Sequence, residues 1–287
     1  MKKHWLLLIL IVAIFLLLCW SLWWSNYGLK TVRYTVGGKS LPKGFNGYHI
    51  VQLSDLHSVS LGKENGRLLK AIRAEEPDII VMTGDMVSRY DEDFSVTLAL
   101  CSALAEEYPV YYIRGNHEEG LATADWESYR AALAASRVQV LDNEMVQLTA
   151  ENGDRINLTG LWYKLDYYHK YASHYRPVTE ETMYTILGEA PEGYNILLAH
   201  NPNYFPVYAA WGADVTFCGH IHGGMIWLPL LGGILSPETI LFPEYDGGSY
   251  QIEDKTMILS RGLGRGRMGI RLFNPPELVC VTLTREE

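Results

Sequence analysis

The chain begins with an uninterrupted apolar segment and continues with the mixed pattern of a water-soluble domain. Trp5–Trp24 contains no charged residue, and its length as a helix is roughly 30 Å, the thickness of the hydrocarbon core of a bilayer. We therefore predict one transmembrane helix over residues 5–24. Lys2 and Lys3 precede the segment, and the next basic residue is Lys30. By the positive-inside rule, this asymmetry predicts that residues 1–4 are cytoplasmic and that the bulk of the chain is extracytoplasmic.

A cleaved signal peptide is the alternative interpretation of this segment. Its apolar region is usually shorter, and small residues at a fixed spacing mark the cleavage site. The end of the segment reads SLWWSNYG, which lacks that spacing and is rich in the aromatic rings that prefer the headgroup layer. We favour an uncleaved anchor in the cell membrane, then a membrane-proximal lead-in over residues 25–45 and one domain over residues 46–287.

Beyond the lead-in, apolar strand-like segments alternate with helical ones. The predicted strands of the first half are 49–55, 78–85 and 109–117, and the predicted helices are 66–76 and 96–108. This βαβαβ order predicts parallel strands with helices packed outside them, and hence an α/β domain. Two further apolar segments, 195–202 and 213–222, also end in polar residues. Near the C-terminus, the segments QIEDKTMILSRGLG and ELVCVTL are predicted to be paired strands.

Composition and charge exclude several classes of protein. The chain has 24 basic and 33 acidic residues, and its first 24 residues hold two of the lysines and no acid. The remainder therefore carries 22 basic against 33 acidic residues, a net charge of −11. A nucleic-acid partner is not expected, because such proteins usually have a basic face and a high pI. The four cysteines form no CxxC pair, and we predict that Cys101, Cys218 and Cys280 are small buried hydrophobic residues.

Residues that commonly bind metals occur where five apolar segments end. They are Asp55 with His57, Asp85, Asn116 with His117, His200, and His220 with His222. In an open α/β sheet the ligand site lies just beyond the carboxyl ends of the strands, so these side chains are expected to converge. They outnumber the three or four ligands of a mononuclear zinc site, and they include no thiolate. The set therefore predicts two divalent ions (Mn, Fe or Zn) that share one carboxylate.

Each of these motifs alone has an ordinary structural interpretation. A single histidine at a strand end, such as His200, is commonly a hydrogen-bonded core residue, and the Gly-Asn pair at Asn116 is typical of a turn. The segment GHIH is more specific, because two imidazoles flank one residue and Gly219 lets the backbone approach a neighbour closely. All the motifs together, in this order, favour a metal site.

Five motifs stand in series along the domain. They are SDLH at 54–57, GDMV at 84–87, GNHE at 115–118, LLAHNP at 197–202 and GHIHGG at 219–224. This series resembles that of the calcineurin-like metallophosphoesterase superfamily, over about residues 46–284. The tail SRGLG followed by GIRLFNPPELVCVTL is similar to the bacterial branch of membrane-associated or exported phosphoesterases. The resemblance implies an αββα sandwich with a dinuclear metal centre at its top, preceded here by the transmembrane helix.

The resemblance also implies a role for each motif residue. Asp55, His57 and His222 would hold the first metal, Asn116, His200 and His220 the second, and Asp85 would bridge the two. His117 would bind no metal but would face the scissile phosphate and assist the leaving group. Arg261 and Arg265 in the glycine-rich tail are candidates for holding a substrate phosphate, with surface solvation as the alternative.

These roles imply hydrolysis of a phosphoester at the membrane. Two divalent ions clamp phosphate oxygens and bridge a water whose pKa falls from about 15.7 towards about 7, so that hydroxide is available at neutral pH. The expected protein is a monomeric, membrane-anchored phosphoric ester hydrolase that acts on a phosphodiester or a lipid- or envelope-linked phosphate. A non-catalytic, metal-binding, membrane-tethered protein is the alternative. A metallo-β-lactamase-type hydrolase would need an HxHxDH run, which the sequence lacks.

Two segments near the motifs have two interpretations each. Leu161–Tyr184 is rich in Tyr and His. It is either a cap or substrate wall, or an aromatic surface loop with a helix that starts at Thr179. Met225–Leu235 follows the metal-type histidines, and it is either an apolar lip facing an acyl chain or the bilayer, or a part of the core. We favour core packing for this second segment.

Overall fold

The computed structural model of the protein describes residues 2–168, 174–224, 226–228, 230–265, 269 and 271–286. This part of the chain forms seven α-helices and fourteen β-strands. The helices are α1 (Lys2–Tyr27), α2 (Gly66–Arg73), α3 (Ser95–Ala105), α4 (Asn116–Glu119), α5 (Thr123–Ala135), α6 (Glu180–Leu187) and α7 (Phe205–Trp211). The strands are β1 (Lys30–Gly37), β2 (His49–Leu53), β3 (Ile79–Met82), β4 (Val110–Tyr112), β5 (Gln139–Val140), β6 (Met145–Thr149), β7 (Arg155–Leu161), β8 (Asn195–Ala199), β9 (Val215–Cys218), β10 (Trp227–Leu228), β11 (Gly232–Gly233), β12 (Gly248–Ile252), β13 (Lys255–Leu259) and β14 (Glu277–Thr284). Five 3₁₀ turns also occur, at Lys43–Phe45, Lys63–Asn65, Leu165–Tyr167, Pro202–Tyr204 and His222–Gly224.

Two six-stranded sheets form the body of the domain. Their strand orders are β1-β14-β2-β3-β4-β5 and β12-β13-β9-β8-β7-β6. In the first sheet β2 to β5 run parallel, as the βαβαβ pattern predicted. In the second sheet β13, β9, β8 and β7 run parallel, and antiparallel strands lie at both edges. β10 and β11 form a separate hairpin.

The alternation of side chains along the strands produces a four-layer core. In β3, Ile80 and Met82 pack with buried residues of α2, α3 and α5. Ile79 and Val81 of the same strand face the other way and pack between the two sheets. Leu197 of the second sheet packs with buried residues of α6 and α7. Both sheets are thus covered on both faces, which confirms the predicted αββα sandwich.

The lead-in predicted over residues 25–45 is largely part of the domain. β1 pairs in parallel with β14 along its whole length, from Lys30 opposite Glu277 to Gly37 opposite Thr284. Along the side that faces β14, the backbone of this stretch therefore makes its hydrogen bonds within the first sheet, of which β1 is an edge strand. Two residues separate the end of α1 from the start of β1, so the domain begins almost where the helix ends.

The pairing predicted for the C-terminal strands is wrong in one respect. β12 and β13 do form an antiparallel pair. The segment ELVCVTL, however, lies in β14, which crosses to the other sheet and lies between β1 and β2. There Val279 and Val281 fill the core between the two sheets. An apolar strand pattern predicts burial, and it does not specify which sheet the strand joins.

Helix α1 is a candidate membrane span, because Lys3–Tyr27 is long and apolar enough to cross a bilayer. The helix extends beyond the predicted residues 5–24 at both ends. Its C-terminal turns contact the domain directly. The hydroxyl of Ser21 accepts a hydrogen bond from the N–H of Phe273 at 3.2 Å. The hydroxyl of Ser25, one turn later, accepts from the N–H of Asn274 at 3.1 Å.

The described part of Leu161–Tyr184 contributes five buried side chains to the core, although most of its residues are not buried. Tyr163 and Tyr168 are buried in the cluster that covers the second sheet, so the interpretation as a surface loop is wrong for them. The predicted helix start at Thr179 is confirmed, because its hydroxyl caps α6 by accepting from the N–H of Thr182. Residues 169–173 lie outside the described residues.

The core packing that we favoured for Met225–Leu235 is wrong for Leu230 and Leu231, whereas the other described residues of the segment are half-buried or buried. β10 and β11 form a hairpin whose connecting residues Leu230 and Leu231 are exposed. Met225 and Pro229 lie outside the described residues. The predicted burial of Cys101, Cys218 and Cys280 is confirmed, and all three are unpaired.

Candidate metal centre

The predicted site residues lie at the carboxyl ends of five strands drawn from both sheets. They are Asp55 and His57 after β2, Asp85 after β3, Asn116 and His117 after β4, His200 after β8, and His220 and His222 after β9. Residues from both sheets occur together in compact groups of possible ligands. The two sheets therefore bring these side chains to a common edge of the sandwich.

Asp55, His57 and His222 form one such group, with their candidate ligand atoms within 4.8 Å of one another. Oδ1 of Asp55 is 3.4 Å from Nε2 of His222. Nε2 of His57 is 3.1 Å from the same imidazole nitrogen. Two imidazole nitrogens and a carboxylate oxygen are donors that suit a borderline divalent ion.

Asp85, His200 and His220 form a second group within the same limit. Oδ2 of Asp85 is 3.2 Å from Nε2 of His200 and 3.9 Å from Nε2 of His57, which belongs to the first group. A third, overlapping group joins His57, Asp85 and His117. Asp85 therefore lies between the two main groups and can serve an ion on either side.

Two buried polar atoms at this point have no hydrogen-bond partner among the described residues. They are Oδ1 of Asn116 and Nε2 of His200, whose contact with Oδ2 of Asp85 at 3.2 Å does not have the geometry of a hydrogen bond. A buried polar atom without a partner costs about 1–3 kcal/mol, so unpaired atoms of this kind in a native structure need an explanation. A divalent ion would satisfy both atoms. The residues present thus fit the two-metal arrangement that the motifs imply.

The electrostatics of the centre favour a cation. Burial lowers the pKa of His200, but the carboxylates of Asp85 and Asp55 outweigh that effect and raise it to about 9. Burial opposes ionisation of Asp85, but the imidazoles of His200 and His117 hold its pKa well below the usual range. Burial lowers the pKa of His57 to about 3, so its ring is neutral and a nitrogen can bind metal. The carboxylates thus attract positive charge at a place from which water is largely excluded.

The backbone is strained at most of the candidate ligands. Five of them have φ between 47° and 76°: Asp55, His57, Asp85, His220 and His222. This left-handed conformation is uncommon for residues other than glycine and costs about 1–3 kcal/mol at each position. Such strain clusters at functional sites, where the surrounding structure holds a side chain in a required place.

Gly219 allows the two sheets to meet at the centre. A Cβ atom at this position would collide with the side-chain oxygens of Ser54 and Asp55. The next residue, His220, donates its N–H to both carboxylate oxygens of Asp55, at 3.0 and 3.1 Å. The close backbone approach that the sequence predicted at Gly219 is therefore confirmed.

His117 lies at the edge of the centre with one ring nitrogen committed to the backbone. Its Nδ1 accepts a hydrogen bond from the N–H of Arg89 at 3.1 Å, and its own N–H donates to Oδ1 of Asp85 at 2.7 Å. Because Nδ1 is an acceptor, the proton of the neutral ring is on Nε2. The ring stands edge-on to that of His57, with 4.5 Å between their centroids. The proton-bearing nitrogen thus faces away from the Arg89 backbone.

A cleft of about 470 Å³ opens over these groups. Its walls include His117 and Asp85 together with two cationic side chains, Arg89 and Arg265. Of the two arginines predicted from the glycine-rich tail, Arg265 therefore lines the cleft. Arg261 instead packs over the indole ring of Trp227, 4.8 Å from its centroid. The motifs gave no indication of Arg89.

Glu118 organises the loop that carries Asp85. Its Oε2 accepts from the N–H of Asp85 at 2.9 Å and of Gly115 at 2.8 Å. Its Oε1 accepts from the N–H of Met86 at 2.8 Å and from the hydroxyl of Tyr112 at 2.6 Å. Glu118 belongs to the GNHE motif. From the sequence alone, however, an acidic residue at this position could equally be a metal ligand, so its structural role could not be predicted.

Glu238 is a second residue that the sequence analysis missed. Its carboxylate is nearly buried, and Oε1 lies 3.0 Å from Nε2 of His220. A carboxylate that accepts from one imidazole nitrogen fixes the tautomer and leaves the other nitrogen free for metal. The ring of Tyr168 packs on the same imidazole, with 5.3 Å between centroids. His220 is thus oriented from two sides.

Glu238→Ala is expected to weaken metal binding by about 10–100-fold, because an outer partner of a metal-binding histidine typically contributes that much. The measurement is titration of the metal-free protein with Mn²⁺ by calorimetry. Glu244→Ala is the matched control, because this nearby carboxylate is exposed and should leave the affinity unchanged. Equal affinities in the two variants would contradict the role assigned to Glu238.

Three curated relatives are similar to nearly the whole chain. YkuE of Bacillus subtilis, described as an uncharacterized metallophosphoesterase, is 27% identical over 260 residues, which cover 89% of this chain and 85% of that protein. LpxG of Chlamydia trachomatis, named a UDP-2,3-diacylglucosamine pyrophosphatase, is 29% identical over 318 residues, which cover 89% of this chain and 90% of that protein. YaeI of Escherichia coli, named a phosphodiesterase, is 26% identical over 243 residues, covering 82% of each.

The family match covers the part of the chain that carries the site. Residues 48–224 match the family described as calcineurin-like phosphoesterase. This range contains all eight residues of the candidate centre and all five motifs. The chain therefore belongs to the calcineurin-like phosphoesterase family.

Proposed function

We propose that this chain is a membrane-anchored phosphoesterase that uses two divalent metal ions to hydrolyse a phosphodiester or a lipid- or envelope-linked phosphate. The observation that carries the proposal is the position of Asp85 between two groups of ligands. In this proposal Asp55, His57 and His222 hold one ion, Asn116, His200 and His220 hold the other, and Asp85 contacts both. Imidazole and carboxylate donors without thiolate suit Mn, Fe or Zn.

The bound ions would supply Lewis acidity and a water of lowered pKa. The residues of the chain supply the remaining requirements. Asp55 and Asp85 contribute −2 against about +4 from two divalent ions, so the cleft attracts phosphate although the domain is acidic. Arg89 and Arg265 line the same cleft and add to this attraction. His117 directs its Nε2–H at the departing oxygen and would stabilise the negative charge that develops there by a hydrogen bond, a contribution that is typically about 10²–10³-fold.

The proposed location is the cell membrane, with the domain outside the cytoplasm. The candidate span in α1 supports anchoring, and the lysines that precede it support a cytoplasmic N-terminus. The hydrogen bond between Ser21 and the domain supports an uncleaved helix, since cleavage after the apolar segment would remove this contact.

The proposed substrate class has two lines of support. An anchored domain works close to lipid-borne substrates. The names of two similar proteins describe a UDP-2,3-diacylglucosamine pyrophosphatase and a phosphodiesterase. A phosphodiester or an acylated, phosphate-bearing molecule is therefore the class that we assign to the cleft.

The test is a metal-reconstitution assay with the full chain in detergent, because α1 contacts the domain. The purified protein is stripped with a chelator, and Mn²⁺, Fe²⁺ or Zn²⁺ is added back before turnover of bis(p-nitrophenyl) phosphate is measured. We expect turnover only with metal, at two ions per chain. Stoichiometric metal binding without turnover of any phosphoester would favour the alternative, a non-catalytic metal-binding protein.

A second arm of the assay addresses the substrate. The metal-loaded protein is incubated separately with total envelope lipids, soluble nucleotides and wall polymers, and release of free phosphate or of a phosphomonoester is measured in each, since a cleaved phosphodiester yields a monoester. Release from lipid- or polymer-linked phosphate is the expected result. Release from soluble nucleotides alone would contradict the lipid- or envelope-linked assignment while leaving the hydrolase class intact.

A further inference from the structure

A cluster of exposed apolar side chains follows the metal-type histidines. Its members are Leu230 at 103% exposure, Leu231 at 64%, Leu241 at 66% and Phe242 at 60%. The N–H of Phe242 donates to the carbonyl of Ile234 in the β10–β11 hairpin, so the hairpin and the chain that follows it form one unit. We call this unit, the described residues 226–228 and 230–242, the apolar hairpin. Such a concentration of exposed apolar surface is typical of an interaction site.

The exposed apolar residues elsewhere in the described domain are scattered. Tyr90, Met145 and Tyr184 are the other large hydrophobic side chains exposed outside α1 in this part of the chain. They lie in a loop, in β6 and in α6, and single exposed residues of this kind are normal for a soluble protein. The apolar hairpin therefore stands out by the number of its exposed residues.

The apolar hairpin carries almost no charge. Its sequence contains one ionisable residue, Glu238. The carboxylate of Glu238 points inward to His220 and its side chain is 6% exposed. Transfer of an exposed charge into lipid is strongly unfavourable. The apolar hairpin could contact lipid without moving any exposed charge into it.

The apolar hairpin is attached to the same segment as the end of α1. The N–H of Trp227 donates to the carbonyl of Leu272 at 3.1 Å, and Ile226 and Leu272 form a parallel β-bridge. The neighbouring Arg271 exchanges two hydrogen bonds with the side chain of Asn26 in the last turn of α1, at 3.0 and 3.2 Å. One short stretch of chain thus joins the helix to the hairpin.

The helix fixes the depth of that stretch in the membrane. Ser21, Ser25 and Asn26 hold it along about 8 Å of the helix. The same turns carry Trp20 and Trp24, whose rings stack with 6.4 Å between centroids. Indole rings prefer the headgroup layer. The stretch attached to the helix is therefore at headgroup level, and so is the base of the apolar hairpin.

We propose that the apolar hairpin is a second membrane contact, which inserts its exposed leucines and Phe242 into the leaflet beside α1. The occupant of this surface is lipid, because a membrane-spanning helix ends directly next to it. Arg265 lines the catalytic cleft and also lies over the ring of Tyr27, 5.1 Å from its centroid. The cleft thus reaches the end of the helix and opens at the surface of the bilayer. The inference rests on the proposed anchoring by α1 and does not depend on catalysis.

The experiment places a fluorescent label on the hairpin of the full chain in phospholipid vesicles. The label, which reports the polarity of its surroundings, is attached to Leu231→Cys in a Cys19→Ala background, where the remaining cysteines are buried. Met145→Cys, an exposed apolar position in β6, is the matched control. Leu241→Cys provides a second position on the hairpin in case Leu231→Cys fails to fold.

Lipids brominated on the acyl chains then report contact with the bilayer. We expect the label on the hairpin to show a blue-shifted emission that the brominated lipids quench, whereas the label at position 145 keeps the emission it has in water. An unquenched, water-like emission from the hairpin would overturn the proposal. A blue shift without lipid quenching would also overturn it, because protein rather than lipid would then cover the hairpin. Turnover is not part of this measurement, and a label on Cys19 of the otherwise unchanged chain reports separately whether α1 itself lies in the bilayer.

Discussion

Asp85→Asn is expected to reduce metal-dependent phosphoester hydrolysis by about 10³-fold or more, because a bound metal contributes several kcal/mol of charge stabilisation and each 1.36 kcal/mol is tenfold in rate. The carboxylate of Asp85 is 3.2 Å from Nε2 of His200 and 3.9 Å from Nε2 of His57, one in each main ligand group. The amide retains one oxygen but loses the charge. We therefore expect the bound metal to fall below two ions per chain.

The measurement combines elemental analysis of bound metal with turnover of bis(p-nitrophenyl) phosphate. Asp142→Asn is the matched control, because Asp142 pairs with Arg114 at 2.8 Å outside the metal-binding groups. That change is expected to leave metal content and turnover at the wild-type level. Wild-type metal content and wild-type turnover in Asp85→Asn would contradict both the bridging position and the enzyme assignment.

The convergence of the candidate ligands could be predicted, because every motif lies at the end of a predicted strand. Each ligand follows an apolar segment directly, and the carboxyl ends of parallel strands meet at one edge of a sheet. His200 is the clearest case. Alone it is an ordinary strand-end histidine, but in the structure its Nε2 is buried, lacks a hydrogen-bond partner among the described residues and lies next to Asp85.

The residues that orient the ligands could not be predicted in the same way. Glu238 reaches His220 from a part of the chain with no motif, because the fold of the apolar hairpin determines where its carboxylate lies. Arg89 is similar, since its contribution to His117 is a backbone N–H that any residue could supply. Long-range geometry of this kind leaves no local pattern in a single sequence.

Apolar patterns also failed to distinguish side chains buried in the protein core from side chains exposed on its surface. Leu230 and Leu231 have the composition of a core segment, yet both are exposed. Val279 and Val281 have a similar composition and are buried, but in the sheet that we did not predict. Hydrophobicity specifies that a side chain avoids water, and the partner that covers it depends on tertiary structure.

The role of His117 follows from how its ring is held. Because Nδ1 accepts from the N–H of Arg89, the proton lies on Nε2. The ring lines the cleft over the ligand groups and is less buried than the candidate ligands Asp85 and His222. In this position the Nε2–H can donate a hydrogen bond to a departing oxygen and stabilise its developing negative charge. That stabilisation matters for an alkoxide, which is a strong base, and much less for an aryloxide that leaves readily as the anion.

His117→Ala is therefore expected to lower turnover by at least about 10²-fold for phosphoesters with alkyl leaving groups, with a much smaller change for p-nitrophenyl esters. The measurement is kcat across a series of leaving groups, together with bound metal. His174→Ala is the matched control, because this histidine is exposed and lies near Asp166 rather than in the cleft. Equal losses across the series would show that His117 does not assist the leaving group. Loss of metal would instead show that His117 is a ligand in the group it forms with His57 and Asp85.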